Sequence, residues 1–154
     1  MIKIKNVLNE EHKLSVSVEK LESDIKTRYP AIDKLGIYMD GRKNSLFLSD
    51  LYVKKEFRGT GVGSAVMREI VTFADNNHIP IVLIPEPEGR SSVKKLIQFY
   101  SKFGFVINKG RNVDYFLSEP FSLSMYRLPV KANEVVLKEL IKKIVREQIK
   151  IKQS

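Results

Sequence analysis

The segment Arg58-Gly59-Thr60-Gly61-Val62-Gly63-Ser64 is where residue types and spacing point most directly to chemistry. It follows the apolar string Leu51-Tyr52-Val53, which reads as the end of a strand, and it opens into Val62, Val66, Ile70 and Phe73, which keep helical spacing. Glycines let a backbone approach a ligand closely. The first N–H groups of a helix have no internal acceptors, and the helix dipole is positive at that end. A strand, a glycine-rich loop and a helix start therefore form an anion site suited to a pyrophosphate, with the Arg58 guanidinium as a permanent charge beside it.

Two phosphate loops do not fit. The Walker pattern requires Gly-Lys-Ser/Thr, and here Gly63-Ser64 lacks the lysine. The dinucleotide pattern G-x-G-x-x-G does not match the spacing of Gly59, Gly61 and Gly63. The spacing that fits is Arg-x-x-Gly-x-Gly, carried by Arg58, Gly61 and Gly63. It resembles the acyl-CoA pyrophosphate loop of the GNAT acyltransferase superfamily. A second element, Leu96-Ile97-Gln98-Phe99-Tyr100-Ser101-Lys102-Phe103-Gly104-Phe105, is similar to that family's Phe/Leu-Tyr-x-x-x-Gly-Phe stretch. The two occur in the family's order with one strand between them, and the resemblance runs over residues 35–128.

The resemblance implies an α/β fold with a central mixed sheet, in which two parallel strands splay apart and flanking helices cover the sheet. The splayed strands should be 46–53 and 80–84, with acetyl-CoA as acyl donor in the V between them. Leu51, Tyr52 and Val53 would line the cofactor, the backbone groups of Leu51 and Val53 pairing with the pantetheine amides. The N–H groups from Arg58 through Gly59, Thr60, Gly61, Val62, Gly63 and Ser64 would hold the pyrophosphate. Tyr100 would protonate the departing thiolate as a primary amine attacks the thioester directly, and the backbone N–H of Val53 or a neighbour would polarise its carbonyl. The chain departs from the family in two places. Val93 stands where many members carry an Asn, with Ser91 or Ser92 as a replacement hydrogen-bonding group. The strand before the loop offers Ser45, Ser49 and Asp50 but no Glu as general base, which leaves a water-relayed base or an amine that arrives neutral.

The elements that must position these groups follow from periodicity. Ile2 and Ile4 begin a strand-like alternation. Leu14, Val18, Leu21 and Ile25 share a helical face, with Ser15 as N-cap and Tyr29-Pro30 as stop; a short strand over 14–18 is the competing reading. Strands are expected at 34–39 and 45–53, joined through Asp40-Gly41 by a loop reaching Asn44. A helix from Val62 ends near Asn76-Asn77, and 80–84 is a buried strand. A helix capped by Ser91 or Ser92 ends at Gly104, and closing strands follow at 105–107 and 121–128. Residues 1–130 then form the GNAT-like domain. Residues 131–154 form a basic amphipathic helical extension with Val136, Leu137, Leu140, Ile141, Ile144 and Val145 on its apolar side. That helix packs on its own domain, forms a homodimer interface or meets an acidic partner or RNA.

Composition sets the outer limits. With 154 residues the chain suits one domain. It has no Cys, which excludes disulfides, thiolate metal sites and a cysteine nucleophile, and with only two His residues no histidine metal centre is expected. The expectation is no metal, no membrane span and a cytoplasmic protein. The net charge of +9 points to anionic partners, favouring an acidic macromolecule as acceptor, either a protein or a tRNA carrying an amino group. A small amine is the other acceptor, with Glu86 and Glu88 as its binding groups. A catalytically silent CoA-binding or interaction module is the alternative from a different class, and a nucleic-acid-binding protein is a third.

Overall fold

Strand β1 (Ile32–Asp40) turns back into β2 (Ser45–Val53) as an antiparallel hairpin. At the turn, the Asp40 side chain accepts from the Arg42 N–H, its carbonyl accepts from the Lys43 N–H, and Asn44 takes a left-handed φ of 46°. Asn is among the few residues that tolerate this conformation. A helix, α2 (Val62–Asn76), connects β2 to β3 (Ile81–Leu83), which runs parallel to β2 as a crossover of this kind requires. After α3 (Val93–Ser101), the short strands β4 (Val106–Ile107) and β5 (Met125–Arg127) complete a sheet of order β1-β2-β3-β5-β4. This computed structural model describes residues 2–88, 92–114, 116–117 and 123–153. The mixed sheet with flanking helices is the α/β architecture expected from the sequence.

The N-terminus differs from expectation. Residues Ile2–Arg28 form one helix, α1, in place of a strand followed by a helix, and Ser15 lies inside it instead of capping it. The Ile2/Ile4 alternation was only two residues long. Ile4, Val7 and Leu8 also fit the three-and-four spacing that Leu14, Val18, Leu21 and Ile25 continue, and no Gly or Pro interrupts the chain before Pro30. The expected closing strand over 121–128 is shortened to β5, with residues 121 and 122 outside those described.

β2 and β3 pair only at Leu46–Ile81, Phe47–Val82 and Leu48–Leu83. Beyond Leu48, β2 runs on to Val53 while β3 ends, so the two part. The cause lies on the other side of β2. Gly36 pairs with Asp50 and Ile37 with Leu48, which makes Ser49 an extra residue in the strand, a β-bulge. Bulges bend the strand that carries them. The Ser49 hydroxyl lies 3.2 Å from the Gly36 carbonyl oxygen as a donor, and a Cβ on residue 36 would stand 2.3 Å from the Ser49 Oγ. Only glycine permits this approach.

One face of the sheet carries the main core. Leu46, Leu48, Ile81, Leu83 and Met125 meet Val18 and Ile25 of α1 and Val66, Met67, Ile70 and Ala74 of α2. The alternate residues Val82 and Tyr126 turn to the opposite face, where Leu117 covers them. A buried clamp ties the C-terminal side to α2. The Arg127 guanidinium donates to both carboxylate oxygens of Asp75 at 2.6 and 3.0 Å and, through Nε, to the Phe103 carbonyl at 2.7 Å. Asp75 also accepts from the Val130 N–H at 2.8 Å. From that anchor the chain enters α4 (Ala132–Gln153), where every residue described from Leu137 to Gln153 is exposed. Of the three readings of this helix, packing on its own domain is therefore not met over that stretch. No described helix is long and apolar enough to cross a membrane.

Candidate active site

A cavity of about 500 Å³ occupies the gap that opens where β2 leaves β3. Its walls are β2 from Leu48 to Val53, the loop and first turn of α2, the segment after β3 at Ile84, Glu86 and Glu88, and the Leu96, Phe99 and Tyr100 face of α3. The volume lies in the ordinary range for small-molecule and cofactor sites. The structure brings together Leu51, Tyr52, Val53, Arg58, Gly59, Gly61, Val62, Gly63, Ser64 and Tyr100 of the residues singled out in the sequence. Thr60 and Ser92 stand outside the lining. The Thr60 hydroxyl donates to the Phe57 carbonyl, and the Ser92 hydroxyl caps α3 by accepting from the Lys95 N–H at 3.2 Å.

The loop leading into α2 has the backbone its glycines allow. Gly59 and Gly61 have φ of 78° and 88°, a region that costs an L-residue about 1–2 kcal/mol. Gly61 is the N-cap of α2 and offers no side chain to satisfy the first-turn N–H groups. Those donors therefore remain for a ligand in the cavity that Gly61, Val62, Gly63 and Ser64 line. Arg58 crosses the mouth of the V. Its Nε donates to the Val53 carbonyl at 3.1 Å, and its Nη2 donates to the Glu88 carboxylate at 2.9 Å.

Tyr100 sits at the inner end of the cavity and is 8 % exposed. Its ring packs edge-on against Phe99 and Phe105. Burial pushes its phenol up to about 12, and the nearby Tyr52 adds to the shift. The group is thus a protonated hydrogen-bond donor throughout the neutral range. Tyr52, on β2, lines the same cavity.

Asp50 is on the rim, and the Lys34 ammonium holds it. The 2.7 Å ion pair and hydrogen bond from Lys34, with the Ser49 hydroxyl proton shared between the Asp50 carboxylate at 3.0 Å and the Gly36 carbonyl, keep its carboxyl below the usual range despite some burial. That makes it a poor proton acceptor. Ser45 is buried at the far end of β2 and outside the lining, and His78 lies in the turn after α2, also outside it. Phe57, Ile84, Leu96 and Phe99 complete the apolar walls. The signal for Leu96 and Phe99 was present in their spacing with Tyr100, which places all three on one side of α3. Phe57 had no such periodic signal. Among the described residues, no cluster of three or more His, Asp or Glu side chains is placed to hold a metal ion.

Comparison with known proteins gives the family. The family model described as the acetyltransferase (GNAT) domain matches residues 31–107, half of the chain. Among solved structures, the anti-CRISPR protein AcrVA5 is similar at 20 % identity over 60 % of this chain and 85 % of its own, with a TM-score of 0.45. Ard1 from Thermoplasma volcanium is similar at 21 % identity over 70 % of this chain and 77 % of its own, with a TM-score of 0.45. A GNAT-family acetyltransferase from Staphylococcus aureus Mu50 is 20 % identical over 61 % of this chain and 57 % of its own, with a TM-score of 0.43. No curated protein matches the chain significantly. The stretch that the family model spans runs from just before β1 to the end of β4 and contains the parted strands, the glycine loop and Tyr100, and the chain belongs to the GNAT acetyltransferase family.

Proposed function

We propose that this protein is an N-acetyltransferase that takes the acetyl group of acetyl-CoA to a primary amine. The observation that carries the reading is the parting of β2 from β3 at Ser49, with the resulting cavity running between the start of α2 and the Tyr100 phenol. The donor set suits the cofactor: the first-turn N–H groups of α2 and the Arg58 guanidinium for a pyrophosphate, and the edge of β2 beyond Leu48, which β3 does not pair, for the pantetheine amides. Acetyl-CoA supplies an activated thioester. The chain's part is to orient it, keep water out with Phe57, Leu96 and Phe99, and present the Tyr100 hydroxyl as a proton donor at the inner end. Glu86, exposed on the opposite wall and outside the ion pairs of the described residues, receives the cationic amine and its proton. The +9 charge favours an amine carried by an acidic macromolecule, a protein or a tRNA. We read residues 1–130 as the catalytic domain and 131–154 as an appended helix.

One observation favours a silent binder instead. Of the cavity's carboxylates, Asp50 is held by Lys34 and Glu88 by Arg58. Calorimetric titration with acetyl-CoA tests binding first. The wild-type chain should bind in the micromolar range, and Gly61→Glu, still folded by circular dichroism, should not, because a carboxylate then occupies the anion site. Absence of binding by the wild type removes the reading. Thiol release on adding amine acceptors separates an enzyme from a binder, and Tyr100→Phe should lower that rate about 10²-fold while leaving the affinity for acetyl-CoA within a factor of two.

A further inference from the structure

The apolar face of α4 is left in water, and its sequence describes what would cover it. Leu137, Ile141 and Ile144 are each about half exposed, at 56 %, 51 % and 48 %. Together with Gln148 and Ile151 they recur at alternating intervals of four and three residues, the d and a positions of successive heptads. Glu139, Lys142, Lys143, Arg146, Lys150 and Gln153 fall on the outward b, c and f positions, and Lys142 already pairs there with Glu139. Ile149 also falls outward, and the heptad does not account for it.

The flanking positions settle the orientation. Lys138, Val145 and Lys152 are at e, and Leu140 and Glu147 are at g. When two such helices lie parallel, each g residue faces the e residue five places later on its neighbour. Leu140 then meets Val145 of the partner subunit, and Glu147 meets Lys152 of the partner subunit. Antiparallel pairing sets e against e and g against g, which puts lysines opposite lysines and gives Glu147 no cation. The helix is 22 residues and therefore about 33 Å long, enough for roughly three heptads. Its base is fixed to the body through the Val130 bond to Asp75 beside the buried Arg127, so the helix leaves the domain from an anchored point.

We propose that α4 associates copies of this chain through a parallel coiled coil, with Leu137, Ile141 and Ile144 in its seam, Gln148 as the polar position that fixes register, and Glu147–Lys152 pairs along its sides. This is independent of the acetyltransferase reading, since no residue of the cavity takes part. The occupant is a second copy and not a lipid surface, because a helix lying in lipid through this face would carry Gln148 in its centre and Glu147 at its edge.

Sedimentation equilibrium on the full chain tests the proposal. The wild type should self-associate with a dissociation constant on the order of 10 μM, as expected for so short a coil, and Ile144→Lys should be monomeric at every concentration. Glu147→Lys and Lys152→Glu should each weaken association about tenfold, because each turns two attractive pairs of a dimer into two repulsive ones. The double variant should return to within a factor of two of the wild type. All these side chains are exposed, so circular dichroism should show each variant folded. A wild type that stays monomeric to several hundred μM overturns the proposal. So does a double variant as weak as either single one, which would exclude parallel pairing, or undiminished association of Ile144→Lys, which would place the contact elsewhere. A monomer that floats with vesicles of anionic phospholipid would assign the face to a membrane surface instead.

Discussion

Helices α2 and α4 carry the same kind of amphipathic spacing and meet opposite fates. Val66, Met67, Ile70 and Ala74 of α2 are entirely removed from solvent, whereas Leu137, Ile141 and Ile144 of α4 keep about half their surface in water. The difference comes from connectivity. α2 is bracketed by β2 and β3, which must lie side by side in parallel, so its apolar face is returned to the sheet whatever else happens. α4 follows β5 and, unlike α2, does not connect two strands that pair with each other. An apolar stripe establishes that a helix has two faces; the elements on either side decide whether the same chain covers one of them.

The comparison breaks most severely at the point the two helices share. Asp75 belongs to the last turn of α2, yet it also holds the base of α4 through Val130 and neutralises Arg127, whose side chain is only 9 % exposed. Replacing Asp75 with Ala leaves a buried guanidinium without its counter-charge, and stability should fall by about 3 kcal/mol, the lower end of the range for a broken buried pair because Asp75 itself is partly wet. Urea denaturation reads this, and a loss under about 1 kcal/mol would mean that water replaces the carboxylate and that the clamp is not what anchors α4.

Parallel truncations sharpen the contrast within the two stripes. Ile70→Ala in α2 should cost about 2–4 kcal/mol through lost burial and the cavity left behind. Ile144→Ala in α4, measured at concentrations low enough to keep the chain monomeric, should cost less than about 0.5 kcal/mol. Equal losses would show that α4 folds back onto its own domain in solution.

A third difference appears at high pH. The folded-state pKa of Tyr100 is raised to about 12 by burial, above the ordinary phenol value near 10 of the unfolded chain. Between those values the unfolded state gives up the proton and the folded state retains it. Stability that is fully present below pH 10 should therefore decline as the pH rises towards 12. Tyr100→Phe should remove that part of the decline, as read by chemical denaturation at successive pH values. Identical slopes for the two proteins would place the phenol in contact with water.

Much of the frame around the cavity was legible in the residues. β2 was expected at 45–53 and found at Ser45–Val53, and the helix from Val62 ends at Asn76. Alternation, helical spacing and the Gly and Pro punctuation are local signals, and these elements obey them. The features that escaped are non-local. The bulge at Ser49 depends on Gly36, across the hairpin, and the Asp75–Arg127 clamp joins residues 52 positions apart. No spacing rule connects such partners. The initial helix was misread for the opposite reason, since two alternating isoleucines were too short a local signal to outweigh a longer period. For the candidate site, the glycine loop is a local signal in the residues and Tyr100 entered through the resemblance of its segment to the family's stretch, but the tie between Arg58 and Glu88 required the fold that faces one wall of the V with the other.

That tie offers the finest contrast between the two ends of the cavity. At the inner end Tyr100 is buried and fixed by packing, while at the outer end Arg58 is held by the Glu88 carboxylate and the Val53 carbonyl, with both charged side chains about half exposed. The carboxylate thus occupies donors that a bound pyrophosphate would claim. Exchanging partners costs little, because an exposed pair contributes about 0.2–1 kcal/mol. Glu88→Gln should accordingly tighten acetyl-CoA binding by about two- to fivefold, through loss of both the competing partner and a negative charge near the phosphates. The gain should shrink as salt is raised, since the charges involved are in contact with solvent. Weaker binding by Glu88→Gln would show the reverse arrangement, in which Glu88 holds Arg58 in the position the ligand needs. Calorimetric titration of the two proteins at low and high salt distinguishes the arrangements by the sign of the change.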